Sequence, residues 1–331
     1  MAAKNSAVDI LINFGLVLLG LVLLYYGAEW LVKGSGDLAL RLGISPLIVG
    51  LTVVAFGTSA PELLVSVSAN METPPQGDMA LGNVVGSNIC NLALVLGIAA
   101  LIKPFGVHGQ VLKREMPLLI GVTAVFVLML LDGNIARWEG GLLALGVVLY
   151  TASSIMRGKR GEEVDTDLEI TDEELAALKS EGKKLFLKDM AFIVVGMVAL
   201  VFGAKWMVQG GKEIALAFGV SSAVIALTLV AFGTSLPEIA TVVVASLKGE
   251  GDLVTGNAVG SCLFNLLAVV GITATIAPLN SDKLAMADLG VMSAITVLLF
   301  PFMLSRKTLS RLEGGVLVGG YLVYVVWLFL R

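Results

Sequence analysis

Leu51 to Glu62 reads LTVVAFGTSAPE, and Leu227 to Glu238 reads LTLVAFGTSLPE, so ten of twelve positions are identical at an offset of 176 residues. Each copy is an apolar helical run interrupted by Gly-Thr-Ser, then a proline, then a lone glutamate, with more apolar residues behind it. A charged residue at the centre of a membrane helix costs ~2.5–3.5 kcal/mol on insertion scales, so an acid retained there points to function. Here the cost is incurred twice, at matching positions, beside the residue types that loosen a helix. Two related halves that each bring a broken helix and an acid to a shared centre read as a secondary transporter for a cation.

The surrounding composition fits a membrane protein. Hydrophobic residues make up 57% of the 331 and charged residues only 15%, outside the soluble globular range. Ten apolar segments long enough to span are expected at about 9–33, 44–70, 78–102, 115–131, 138–156, 189–211, 219–247, 252–278, 285–304 and 312–330. The second and third of each half read as the long ones, with tilt or a break absorbing the surplus. The first stretch reads as a retained helix, because no small-residue cleavage site follows a short apolar core. No basic patch with interleaved aromatics is present, which excludes nucleic acid as a ligand; the lipid bilayer is the expected partner, and the oligomeric state is not legible.

The repeat extends beyond the acidic stretch. Gly27-Ala28-Glu29-Trp30 returns as Gly203-Ala204-Lys205-Trp206, and Gly82-Asn83-Val84-Val85-Gly86-Ser87 returns as Gly256-Asn257-Ala258-Val259-Gly260-Ser261. Arg137-Trp138-Glu139-Gly140-Gly141 returns as Arg311-Leu312-Glu313-Gly314-Gly315. The expected fold class is therefore an all-α polytopic membrane protein of ten transmembrane helices arranged as two inverted five-helix repeats. Residues 1–156 form the first, 157–188 a hydrophilic linker, and 189–331 the second. Five spans per half is odd, so the second half enters the membrane upside down. With the N-terminus outside, sixteen Lys and Arg residues fall inside against six outside, which puts both termini outside and the linker in the cytoplasm of a cell (inner) membrane protein. In the linker, Thr171 and Glu174 form a capping box that starts a short helix. Asp165, Asp167 and Glu169 lack the glycine and distal glutamate of a calcium loop and read as solvated chain.

Glu62 and Glu238 together carry a charge of −2, matching one divalent ion. Two such carboxylates at one site repel, so they hold a proton between them or recruit cations. Calcium takes six to eight oxygens at ~2.3–2.6 Å, and two bidentate acids give four. Carbonyls freed near Gly57 and Gly233, where Pro61 and Pro237 remove the amide donor four residues on, would add two more. Irregular backbone at membrane depth is tolerated only where it lines a cavity or ion site. The plain alternative, a kink with each acid paired to a buried base, lacks a base: the membrane interior holds no Lys, Arg or His, and His108 lies in the loop after the third segment. Asn83, Ser87 and Asn91 share one helix face, as do Asn257, Ser261 and Asn265, with Asn88 beside the first set. Hydroxyl and amide oxygens suit sodium or calcium, whereas thiolate and imidazole would suit zinc or copper. Gly82, Gly86, Gly256 and Gly260 read as close helix contacts, and Cys90 and Cys262 as small buried apolar residues.

At these residues the sequence resembles the calcium/cation antiporter superfamily, the sodium/calcium exchangers, whose hallmark is a pair of α-repeats. Here these are Gly57 to Glu62 with Gly82 to Asn91, and Gly233 to Glu238 with Gly256 to Asn265. The short central loop is similar to the prokaryotic branch. The resemblance implies ten helices, alternating access, no cofactor, no enzymatic activity, and export of one Ca2+ against inward Na+. It also implies roles. Glu62 and Glu238 would be the shared carboxylates, and Thr58 and Thr234 would offer backbone carbonyls, one residue on from the glycines. Ala55, Ser59 and Ser87 would line the inner sodium site, with Ala231, Ser235 and Ser261 lining the outer one, while Asn91 and Asn265 sit at the midplane. Some relatives carry Asp where this chain has Asn265, so its site is less negative and less suited to potassium co-transport. Calcium/proton exchange is the alternative within transporters. An intramembrane carboxylate enzyme would ordinarily use two aspartates, and a channel would need a continuous pore.

Overall fold

The computed structural model describes residues 7–159, 182–218, 231–281 and 286–330. Two helices of 36 residues dominate, α1 (Ala7–Leu42) and α7 (Gly182–Ala217). At 1.5 Å rise per residue each is about 54 Å long, well over the ~30 Å hydrocarbon core. The expected first and sixth spans, 9–33 and 189–211, are therefore too short, and these helices rather than the second and third of each half are the longest. The reason is continuity: Gly34-Ser35-Gly36 does not stop α1, because Gly34 is a packing contact and not a turn.

α1 and α7 lie against each other through glycines seven residues apart, Gly20, Gly27 and Gly34 on one and Gly196, Gly203 and Gly210 on the other. Seven residues are nearly two turns, so the three fall on one face. A Cβ on Gly20 would stand 2.7 Å from the Gly203 carbonyl oxygen, and one on Gly196 would stand 2.8 Å from that of Gly27. With no water to expel between apolar helices, such backbone-to-backbone approach is what drives association in lipid. An ion pair between Arg41 and the buried Asp189 closes one end of this pair.

The second span is broken. α2 (Pro46–Thr58) and α3 (Ala60–Asn70) meet at 41° across Ser59, whose φ and ψ are −85° and 1°. α8 (Ala231–Thr234) and α9 (Leu236–Lys248) are separated at the equivalent Ser235, with similar dihedrals of −88° and 4°. Residues 219–230, the start of the expected seventh span and of the second motif copy, lie outside the described residues. Pro61 and Pro237 fall in the first turn of α3 and α9, where no amide donor is needed. They start new helices rather than kink continuous ones, which corrects the expected mechanism while keeping the break.

α4 (Gly77–Ile102) and α10 (Gly251–Ile276) form the centre: 78% and 83% of their apolar windows are buried, against 11–33% for the other unbroken spans. That burial explains how helices rich in Asn and Ser persist at membrane depth. Around them stand α5 (Val111–Asp132), α6 (Arg137–Lys159), α11 (Met286–Leu304) and α12 (Arg311–Leu330). Eight described helices are long and apolar enough to cross a membrane, nine with α2 and α3 as one bent span. The chain is a polytopic, helical membrane protein. α6 and α7 extend into both ends of the expected linker; residues 160–181, with the capping box at Thr171 and the acids from Asp165 to Glu169, are outside the described residues.

Contacts between the halves are reciprocal. Gly97 of α4 packs on Gly314 of α12, and Gly271 of α10 on Gly140 of α6, positions related by an offset of 174. Four two-residue strands depart from the all-α expectation and follow the same rule. β1 (Phe105–Gly106) pairs antiparallel with β4 (Thr308–Leu309), and β2 (Asn134–Ile135) with β3 (Leu279–Asn280). They satisfy backbone groups where loops fold back over helix ends.

Candidate cation site

Glu62 and Glu238 are both fully buried. Each lies in the first turn of the helix that starts after the break, α3 or α9. There the unpaired amides and the helix dipole favour a carboxylate by ~0.3–1 kcal/mol, up to ~2 kcal/mol where partly buried. The Gly-Thr-Ser-x-Pro signature thus does two things at once, ending one helix and presenting the positive end of the next to an acid.

The two acids sit in one polar cluster. Ser87 Oγ donates to Glu62 Oε1 at 3.4 Å, and Ser235 Oγ to Ser87 Oγ at 3.4 Å. Asn83 Nδ2 reaches the Glu62 backbone carbonyl at 3.2 Å and Ser66 Oγ at 3.1 Å. The Glu238 carboxylate lies within electrostatic reach of that of Glu62 and has the Thr58 and Ser59 hydroxyls near it, yet neither of its oxygens makes a hydrogen bond among the described residues. The threonines cross between halves. Thr58 Oγ1 donates to Asn257 Oδ1 at 3.1 Å and lies 3.3 Å from Ser261 Oγ, while Thr234 Oγ1 donates to Asn83 Oδ1 at 3.4 Å. Asn83 and Asn257, absent from the expected ligand set, are the repeat-related acceptors that join each break to the opposite half. The helix-face spacing in the sequence was their only signal.

The expected ligand positions Ala55, Thr58, Ser59, Glu62, Ser87, Asn91, Ser235, Glu238, Ser261 and Asn265 are fully or nearly fully buried. Thr234 is half-buried, and Ala231 opens α8. Asn265 Nδ2 donates to Asn88 Oδ1 at 3.1 Å, which fixes its amide and leaves Oδ1 unpaired. Among the described residues Asn91 makes no side-chain hydrogen bond, and Ser59 Oγ and Glu62 Oε2 are likewise unpaired. A buried polar atom without a partner costs ~1–3 kcal/mol, more when charged, so this concentration of lone oxygens is what a desolvated cation would satisfy. They are carboxylate, hydroxyl and amide oxygens, the hard set of Ca2+ and Na+. The Cys90 thiol, expected to be an inert filler, stands beside the Ser235 and Tyr321 hydroxyls at the edge of this cluster.

Two further features escaped the sequence. α4 and α10 each widen into a π-helical turn, Cys90–Val95 and Asn265–Val269, at the asparagines. Such turns concentrate at functional sites because they re-aim side chains, and no residue type announces them. Gly256 and Gly260 bring α10 against α2: Cβ atoms there would stand 2.7 Å from the Leu47 carbonyl oxygen and 2.8 Å from the Ala55 Cβ. Gly82 and Gly86, expected to behave alike, meet nothing among the described residues.

The model of the family described as "Sodium/calcium exchanger protein" matches residues 12–156 and 188–330. The chain belongs to the sodium/calcium exchanger family. This is a family of secondary transporters, not enzymes, and its members exchange cations across membranes by antiport. The exchanger is 36% identical over 324 residues to the inner membrane protein YrbG of Escherichia coli, covering 96% of this chain and 97% of that one. It is 32% identical over 349 residues to the sodium/calcium exchanger MaX1 of Methanosarcina acetivorans, covering 97% and 99%. Its structure is similar to the solved sodium-calcium exchanger NCX_Mj soaked with Na+, with a TM-score of 0.82, 28% identity, and coverage of 96% and 99%.

Proposed function

We propose that this exchanger exports Ca2+ in return for inward Na+ by alternating access, with Glu62 and Glu238 as the carboxylates shared between calcium and sodium sites. The observation that carries the reading is the pair of fully buried carboxylates, one from each half, with lone oxygens and no basic partner among the described residues. Thr58 and Thr234 contribute backbone carbonyls. Ala55, Ser59 and Ser87 line the inner sodium position, Ala231, Ser235 and Ser261 the outer one, and Asn91 and Asn265 flank the acids. The reciprocal contacts between halves support ten spans in two inverted five-helix repeats, 1–156 and 189–331, joined by the 157–188 linker. The distribution of Lys and Arg supports a cell (inner) membrane location with both termini outside and the linker cytoplasmic. NCX_Mj was soaked with Na+ and with Sr2+ in its structural work, which supports the same two cargo classes for this site.

Calcium/proton exchange is the second reading, favoured by one observation: both Glu238 oxygens lack a hydrogen bond among the described residues, and a proton would relieve the burial of that charge as a cation does. Radiolabelled Ca2+ uptake into vesicles holding the purified protein separates the two. A sodium gradient alone drives uptake in the first reading. Uptake driven by a pH gradient with sodium absent, and indifferent to sodium, replaces it with the second.

A further inference from the structure

The contact between α1 and α9 departs from the reciprocity between the halves. α1 lies along α9, and where they meet Lys248 Nζ is 2.6 Å from Glu29 Oε1. At the offset of 176 that superposes the two GTSxPE stretches, Glu29 corresponds to Lys205 of α7, and Lys248 to Glu72 in the turn after α3. The same ion pair is therefore encoded twice, with the charges exchanged between the long helix and the broken one. At 29 and 205 the flanking residues are identical, Gly-Ala before and Trp after, so the charge is the feature that changes. The exchange also makes each wrong combination, Glu29 with Glu72 or Lys205 with Lys248, repulsive.

Only one of the two pairs is formed. α7 barely touches α3, Lys205 is exposed and in no ion pair among the described residues, and the Glu72 carboxylate accepts a hydrogen bond from Gln76 Nε2 instead. The long helices are held to each other by interlocked glycines and the Arg41–Asp189 pair, so they act as one arm. In this conformation the arm is docked on α9 at one end and stands apart from α3 at the other. We infer that Glu29–Lys248 and Lys205–Glu72 are alternate latches, one per face, that set which side the cation site opens to, and that the conformation described has the Glu29–Lys248 latch closed. This rests on the alternating-access reading above. With the termini outside, the closed latch is the cytoplasmic one. An ion pair this exposed shifts an equilibrium by about 1.5- to 5-fold, a bias suited to a gate that must open on every cycle.

The test uses the full chain in oriented vesicles, with two doubly substituted forms, Glu29→Cys with Lys248→Cys and Lys205→Cys with Glu72→Cys. The expected result is that each pair forms a disulfide under opposite ion conditions, that either disulfide stops exchange, and that reductant restores it. In parallel, Glu29→Gln lowers the half-saturating Ca2+ concentration at the cytoplasmic face by about 1.5- to 5-fold and raises it at the outer face. Lys205→Met does the reverse, and Glu29→Lys with Lys248→Glu returns both toward the starting values. The latches are overturned if both cysteine pairs crosslink equally under every ion condition, if the Lys205/Glu72 pair never crosslinks, or if Glu29→Gln and Lys205→Met move the two faces in the same direction. Absent calcium flux in the unsubstituted protein, with crosslinking still mutually exclusive, removes the cargo assignment and leaves the latches standing.

Discussion

Glu238→Gln probes the site where its chemistry is least ambiguous. The substitution keeps the shape of the side chain and lowers the charge of the acid pair from −2 to −1. In the fully buried setting of Glu238, breaking a charge pair costs ~3–5 kcal/mol. At 1.4 kcal/mol per factor of ten, calcium affinity falls by about 10²- to 10³-fold or more. Without calcium the effect reverses sign. With no hydrogen bond to its oxygens among the described residues, the buried carboxylate is costly to hold without a cation, so a neutral amide lowers that cost and the ion-free variant melts at a higher temperature than the parent.

The assay is therefore paired. Vesicle uptake of radiolabelled Ca2+ gives the half-saturating concentration, and melting in detergent gives stability with and without Ca2+. A ligand at 100 times its dissociation constant stabilises by ~2.7 kcal/mol, and that increment disappears in the variant over the same concentration range. A helix-kink role for the motif would leave uptake intact. Half-saturation within threefold of the parent, or an unchanged calcium-dependent melting shift, refutes the assignment of Glu238 as a ligand.

Gly260→Val places a side chain 2.9 Å from Leu51 backbone atoms, and overpacking of this kind costs ~1–3 kcal/mol or more; melting in detergent shows the loss, whereas Gly36→Ala, with nothing within 4 Å, stays near the parent. Asn265→Asp raises the site charge to −3 and changes the dependence of flux on sodium, potassium and pH more than its preference for calcium, read from flux under each gradient separately. Glu250, in the turn between α9 and α10, has its carboxyl pushed above the usual 4.5 by burial and then by Asp252, with Lys248 opposing. A folded-state value above the unfolded one makes the protonated form the stabilising one, fully so below 4.5 and lost as pH rises through the raised value. Melting temperature followed from pH 4 upward should therefore decline less in Glu250→Gln than in the parent.

What the sequence discloses and what it hides divide along physical lines. GTSxPE was legible because a buried acid, a proline and a polar triplet each violate the rule for an apolar span, and their recurrence at one offset rules out accident. The seven-residue glycine spacing in α1 and α7 was equally present in the sequence, but glycine is common in membrane helices, and only a partner carbonyl 2.7 Å from where a Cβ would stand distinguishes a contact from filler. Hydropathy ended α1 at about residue 33 because charges begin there; charge marks the water boundary, whereas a helix ends where its backbone hydrogen bonds end, here at Leu42. The π-turns at Cys90–Val95 and Asn265–Val269 and the strand pairs joining loops of opposite halves carry no composition at all. They arise from long-range packing. The Thr58–Asn257 and Thr234–Asn83 links belong to the same class, since each joins residues about 150 to 200 positions apart. The candidate cation site is thus written locally as residue types and globally as placement: each half names its oxygens, and only the other half brings them within reach.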